Sequence, residues 1–114
     1  MTQTLSYTFM ITASPEQTLK HRRVLALIEA LKRAGHRPAQ AFFFGQGVQI
    51  GLPWATELAT EWQQASADSE LSLTLCSASY ERYALEQCAA PWQIGGLGVL
   101  MEAGFSTDRV IHVI

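Results

Sequence analysis

The sequence predicts an α/β protein: a parallel β-sheet flanked by helices, folded as a single domain over residues 1–114. Three observations predict it. Segments rich in β-branched and aromatic residues alternate with segments of helical spacing, the pattern of βαβ units. The second strand segment carries Phe42, Phe43 and Phe44 in succession, and a continuous apolar run suits a strand covered on both faces, as in a parallel sheet. The chain has 114 residues, 48% hydrophobic and 16% charged. That is the size of one domain, with enough apolar side chain to bury a core and too much for intrinsic disorder.

The elements follow in order. Residues 5–12 read as a first strand. A helix start follows: Ser14 as N-cap, Pro15 at the first helical position and Gln17 completing a capping-box spacing. Val24, Leu27, Ile28 and Leu31 form one apolar stripe at i, i+3, i+4 and i+7. Lys32 and Arg33 suit the negative end of the helix dipole, and Gly35 is a natural C′ stop. Residues 39–44 form the second strand, and Gly45-Gln46-Gly47 turns the chain. Pro53 opens a second helix with Leu58 and Trp62 on its inner side, and residues 65–69 read as a loop. Residues 71–76 are a third strand and 77–87 a third helix, with Ser77 or Ser79 near its cap. Residues 88–96 hold Pro91 and two glycines and read as a loop with room for a short strand. Residues 97–103 are helical, and Asp108 leads into a last strand over 109–113.

Composition excludes several classes of function. The net charge is −2 and the pI about 5.8, so no basic excess marks a nucleic-acid or membrane-surface protein. No apolar run reaches the roughly 20 residues that span a bilayer, and the N-terminal residues lack a charged leader pattern, which predicts a cytoplasmic protein. Two cysteines, Cys76 and Cys88, are too few for a disulfide scaffold, and in a reducing compartment they stay thiols.

Ligands and chemistry in parallel sheets gather at the carboxyl ends of the strands. Three loops converge there: 13–16, 45–51 and 76–79. Cys76 closes the third strand and precedes a helix. Unpaired N–H groups and the helix dipole at that point favour an anion, and a thiolate is one. Ser77, Ala78 and Ser79 leave room for a partner, and Arg82 adds positive field that Glu81 beside it partly offsets. The same position also suits a buried structural cysteine. Cys88 reads as packing; with eleven residues between them, the two do not form a Cys-x-x-Cys pair. His21, His36 and His112 have no metal-ligand spacing. His21 and His36 fit the exposed face or end of the first helix, and His112 a packed or hydrogen-bonded place in the last strand. Gly45-x-Gly47-x-x-x-Gly51 lacks the spacing of a dinucleotide or phosphate loop. Lys20-His21-Arg22-Arg23 reads as a solvated face, with a docking patch for an acidic protein or RNA as the alternative, although no aromatic residues interleave to stack on RNA bases.

Four pieces, in order, resemble the DsrE/TusD family of small sulfur-transfer proteins: Ala41-Phe-Phe-Phe-Gly-Gln-Gly-Val48, Leu73-Thr-Leu-Cys76, Gly96-Leu-Gly-Val-Leu-Met-Glu-Ala103 and Asp108-Arg-Val-Ile111. The resemblance runs over most of the chain and implies a flavodoxin-like, DsrE-like sheet. It implies a cysteine persulfide carrier in which Cys76 accepts sulfane sulfur from a donor and passes it to another protein's thiol, in thiolation of tRNA or in sulfur oxidation. A non-catalytic subunit of the same fold is the alternative. The implied partners are sulfur donor and acceptor proteins and related subunits of a homo- or hetero-oligomer, with no membrane, no direct nucleic-acid contact and no cofactor. Only Cys76 matches a catalytic position of the family. The chain departs from the pattern over 48–65, which is shorter than in typical members.

Overall fold

A computed structural model describes residues 3–83 and 91–114, with the side chains of 103–105 set aside. Strand β1 (Ser6–Ile11) leads to helix α1 (Thr18–Arg33) and strand β2 (Arg37–Phe43). Two 3-10 stretches, Gly45–Gly51 and Pro53–Ala55, precede helix α2 (Thr56–Ser69). Strand β3 (Ser72–Cys76), helix α3 (Ser77–Arg82), strand β4 (Trp92–Gly95), helix α4 (Leu97–Ser106) and strand β5 (Arg109–Val113) follow. The five strands form one parallel sheet in the order β4-β3-β2-β1-β5. The chain therefore steps one way from β1 to β4 and then crosses back to the far side of β1. With right-handed crossovers, the first three steps put α1, α2 and α3 on one face, and the return puts α4 on the other.

Period-two alternation sorts the strand residues between the faces. Phe9 and Ile11 of β1, Ala41 and Phe43 of β2, and Leu73 and Leu75 of β3 pack with Val24, Ile28, Leu58 and Trp62 in one core. Burying a side chain the size of Trp62 or Phe43 stabilises the fold by about 2–3 kcal/mol. The opposite face buries Thr8, Phe42 and Thr74. Its hydroxyls are satisfied: Thr8 Oγ1 meets Thr107 Oγ1 at 2.9 Å, and Gln40 Nε2 donates to Thr74 Oγ1 at 3.2 Å. Phe42 and Phe43 thus bury on opposite faces, as the apolar run predicts, and Phe44 stands partly exposed past the strand end.

Several expectations need correction. Helix α1 begins at Thr18, not at Pro15. The Gln17 N–H bonds back to the Ser14 carbonyl at 2.9 Å, closing a β-turn with Pro15 in the position that suits its fixed φ. Ser14 Oγ accepts the Glu16 N–H at 3.2 Å, so the serine stabilises this turn instead of capping the helix. The inward stripe of α1 is His21, Val24 and Ile28, with Leu31 partly buried, while Leu27 is 38% exposed. Strand β2 starts at Arg37 because a bulge between Tyr7 and Thr8 skips Ala39 and accommodates Pro38, which has no N–H to offer. Pro53 opens only a 3-10 turn; the α-helix proper starts at Thr56. Residues 65–69 are the last turn of α2, which ends at Glu70 in the left-handed region (φ 54°) with no glycine to mark the stop. Helix α4 runs to Ser106, beyond the expected 103.

The end of α1 is as expected. Gly35 sits at φ +87°, its N–H bonds to the Lys32 carbonyl, and the His36 N–H bonds to the Leu31 carbonyl at 2.8 Å, the paired bonds of a Schellman motif. The last strand is pinned by Asp108. Its Oδ2 accepts both the N–H and the hydroxyl of Ser6, at 2.8 and 3.0 Å. These two bonds hold its carboxyl below the ordinary aspartate range. Among the described residues no helix is long and apolar enough to cross a membrane.

Candidate functional site

Cys76 is the last residue of β3 and the N-cap of α3, with extended backbone (φ −63°, ψ 124°). It forms no disulfide, and the residue is partly buried, packed against the edge of the hydrophobic core. Tight loops flank it. On one side Cys76 pairs in register with Gly95, the last residue of β4. A Cβ on Gly95 would lie 3.0 Å from side-chain atoms of Thr74 and Val99, while one on Gly96 would make an ordinary contact with Ser77 Oγ at 3.6 Å. Glycine there lets β4 lie close beside the cysteine-bearing strand. On the other side the Gly45 N–H donates to Ser79 Oγ at 2.9 Å, tying the loop after β2 to the helix that Cys76 caps. Gly47 is needed for packing: a Cβ would meet the Ile11 carbonyl oxygen at 2.3 Å. Gly47 therefore serves close approach to β1, and Gly45 a left-handed backbone at φ 55°, which explains these two without a phosphate.

The three loops expected at the carboxyl edge do follow β1, β2 and β3 there, and residues 95–96, not foreseen as part of the site, form a fourth wall. Arg82 lies in the last turn of α3, exposed and at the opposite end of the helix from Cys76. Cys88 and the expected helical residues 84–87 lie outside the described residues.

Of the histidines, His36 at the end of α1 and His112 hydrogen-bonded in β5 are as expected, and His21 is not. His21 is fully buried, not on the exposed face of α1. Its Nε2–H donates to the Ala13 carbonyl at 2.9 Å, and its Nδ1 accepts the Trp62 indole N–H at 3.1 Å. Those partners fix one neutral tautomer. Burial pushes its pKa down, against a smaller upward pull from the backbone at Ala13 and Ser14. The ring also stacks on Phe43, so one side chain ties the loop after β1 to α2 and β2. The sequence signal for it was the spacing to Val24 and Ile28, masked by charged neighbours. His112 is exposed on β5, bonded to Thr12 Oγ1 at 3.2 Å and stacked on Phe44, at the carboxyl edge. His36 accepts the Leu5 N–H at 3.1 Å at the other end of the sheet. Among the described residues no three His, Cys, Asp or Glu side chains gather to hold a metal ion.

The basic run at 20–23 does not act as one patch. Lys20 bonds the Ile114 carbonyl, His21 is buried, and Arg22 forks onto Glu61. Lys20, Arg22 and Arg23 are all exposed, as a solvated face requires, and His21 alone of the four is buried.

A five-stranded parallel sheet flanked by helices, with a cysteine at the carboxyl end of β3, defines the class: a small α/β protein built on one sheet. The chain belongs to the DsrE/DsrF-like family, whose model matches residues 5–113. It is 29% identical to Sulfurtransferase TusD of Yersinia pestis (strain Pestoides F), over 95% of this chain and 97% of that one. The same identity and coverage hold for Sulfurtransferase TusD of Yersinia pseudotuberculosis serotype O:3. The alignment spans 127 positions against 114 residues here, so those relatives carry residues this chain lacks. Among solved structures, the ychN protein of E. coli superposes with a TM-score of 0.69 at 16% identity, covering 96% of this chain and 99% of that one. A protein of unknown function from Methanobacterium thermoautotrophicum gives 0.68 at 15% identity, covering 95% and 98%. These two show the shared fold.

Proposed function

We propose that the chain is a cytoplasmic sulfurtransferase, acting as one DsrE-like domain, that carries sulfane sulfur as a persulfide on Cys76. Family membership and the similarity to proteins named sulfurtransferases support a role in sulfur transfer. The observation that carries the finer reading is the position of Cys76, free of any disulfide and only partly buried, at the rim of the sheet. The Cys76 thiolate attacks the terminal sulfur of a donor persulfide. The donor's S–S bond breaks, the donor leaves as a thiolate, and a new S–S bond forms on Cys76. An acceptor protein's thiolate then attacks the terminal sulfur, restoring the Cys76 thiolate. Neither step changes the total oxidation state of sulfur, and no metal or organic cofactor takes part. Backbone N–H groups after Cys76 face the charge that develops at each stage. The delivered sulfur would serve tRNA thiolation or sulfur oxidation.

The partners in this reading are a donor protein, an acceptor protein and related subunits. Helix α4 and its neighbours support the last of these. Leu97 is 66% exposed and Met101 54%, and Ile94, Val99 and Val110 add to the same exposed apolar set. An apolar helix left in water is characteristic of an assembly face. Light scattering that finds only monomer at micromolar concentration would refute self-assembly and leave related subunits of other sequence as the partners of that face.

Intact mass after polysulfide treatment tests the chemistry. A gain of one sulfur that persists in Cys88→Ser and vanishes in Cys76→Ser is the expected result. No gain, together with tight association to a sulfur-transfer partner, would instead assign the chain as a non-catalytic subunit.

A further inference from the structure

We infer that the groove between the first turns of α1 and α2 docks a partner-protein segment bearing a lysine or arginine next to an apolar residue. The groove holds about 340 Å³. Pro15, Ala55 and Leu58, all buried, give it an apolar floor, and Trp54, 52% exposed, stands beside them. Trp54 sits in the 3-10 turn opened by Pro53, so its backbone is held before any partner arrives, which lowers the ordering cost of binding. A large aromatic half in water beside a cavity is the kind of anchor that protein interfaces use.

Charge decides what fits. Glu16 and Glu57 line the groove, and the Glu57 side chain is 91% exposed. The one cation lining it, Arg22, is already committed: its guanidinium bonds both oxygens of Glu61 at 3.1–3.3 Å and lies 3.8 Å from Glu57. Glu16 and Glu57 in the lining and Glu61 beside it set three carboxylates against one guanidinium, an excess of two negative charges. An indole face beside surplus carboxylates favours a cation with an apolar stem, which is a lysine or arginine side chain.

The placement gives the groove a purpose, and for that purpose the inference rests on the sulfur-transfer reading. Pro15 and Glu16 follow the carboxyl end of β1, and Trp54 follows the 3-10 run that begins at the carboxyl end of β2. Cys76 ends β3 at the same edge of the sheet. A partner seated on Trp54 therefore lies along the edge that carries the thiol.

The test titrates the 15N-labelled full chain with the peptide acetyl-Gly-Leu-Lys-Leu-Gly-amide, and with its Glu-for-Lys counterpart, at low salt. The expected result is a saturable shift of the Trp54 indole N–H and the Thr18 and Leu58 amides with the lysine peptide. The glutamate peptide should bind about tenfold more weakly or less, and salt should weaken the lysine peptide. Trp54→Ala and Glu57→Gln, both exposed positions, should each reduce the shift. Equal response to the two peptides, no saturable shift, or an unaffected Glu57→Gln overturns the inference. Polysulfide loading of Cys76, read by mass on the same sample, separates the two claims. Loading without peptide binding refutes only the groove. Peptide binding without loading refutes only the persulfide reading.

Discussion

Replacing His21 with Gln isolates the buried histidine's effect on stability. The glutamine amide can donate to the Ala13 carbonyl and accept from Trp62 Nε1–H, as His21 does, but it does not titrate. In the native chain, folding holds His21 neutral with its pKa lowered by burial. The unfolded chain takes up a proton near the ordinary histidine value of about 6.5. The unfolded state therefore binds more protons as pH falls below that value. The contribution of His21 to stability is complete above about pH 6.5 and declines as pH drops toward its lowered folded value. While only the unfolded state is protonated, the slope approaches ~1.4 kcal/mol per pH unit. Urea melts between pH 7.5 and 5.5 read this slope, above the range in which carboxylates such as Asp108 are protonated. His21→Gln should remove most of the slope. Trp62→Phe should also flatten it, because a freed Nδ1 can accept a proton, and at pH 7.5 should cost about 1–3 kcal/mol for the orphaned acceptor plus a loss of packing. A native chain equally stable at both pH values, or a His21→Gln variant with the full slope, would refute the reasoning.

Three further outcomes follow from backbone geometry. Glu70→Gly should stabilise the fold by about 1 kcal/mol, since glycine removes the Cβ conflict at φ 54°; a thermal melt checks it. Gly47→Ala should destabilise by more than about 2 kcal/mol, because its Cβ would press on the Ile11 carbonyl and neither backbone can yield cheaply; a melt no lower than native would contradict this. Ser79→Ala should free the Gly45 N–H from its partner and raise amide exchange at Gly45 roughly five- to tenfold, the equivalent of a ~1 kcal/mol bond; unchanged exchange would count against the tether.

Much of this fold is legible in the sequence wherever a single local signal decides the outcome. Gly35 marks its helix end because only the left-handed stop fits there, and the Phe42–Phe43 pair reads as a doubly covered strand. Cys76 is placed at a strand end by the run before it. Failures occur where two local readings compete or where a distant partner decides. Ser14 looks like a cap, yet its hydroxyl goes to Glu16 and its carbonyl closes a turn. His21 looks exposed between Lys20 and Arg22, but Ala13 and Trp62 satisfy both its nitrogens and make burial affordable. The end of α2 at Glu70 has no local signal, since the residue adopts a backbone conformation that its side chain disfavours. The wall at Gly95–Gly96 was hidden because its role depends on β4 lying beside Thr74 and Ser77. Trp54 offers no sequence clue to its exposure, which follows from the turn that Pro53 opens.

The strand order bears on how the molecule assembles. β1 is an inner strand, yet one of its flanks is closed only by β5, through contacts such as Ser6 with Asp108, 102 positions apart. The helices and the pairings from β1 to β4 close over shorter spans, so they can form while that flank still presents bare N–H and C=O groups. During folding this half-finished ribbon is an adhesive edge for another chain, and Asp108, by clasping Ser6, seals it.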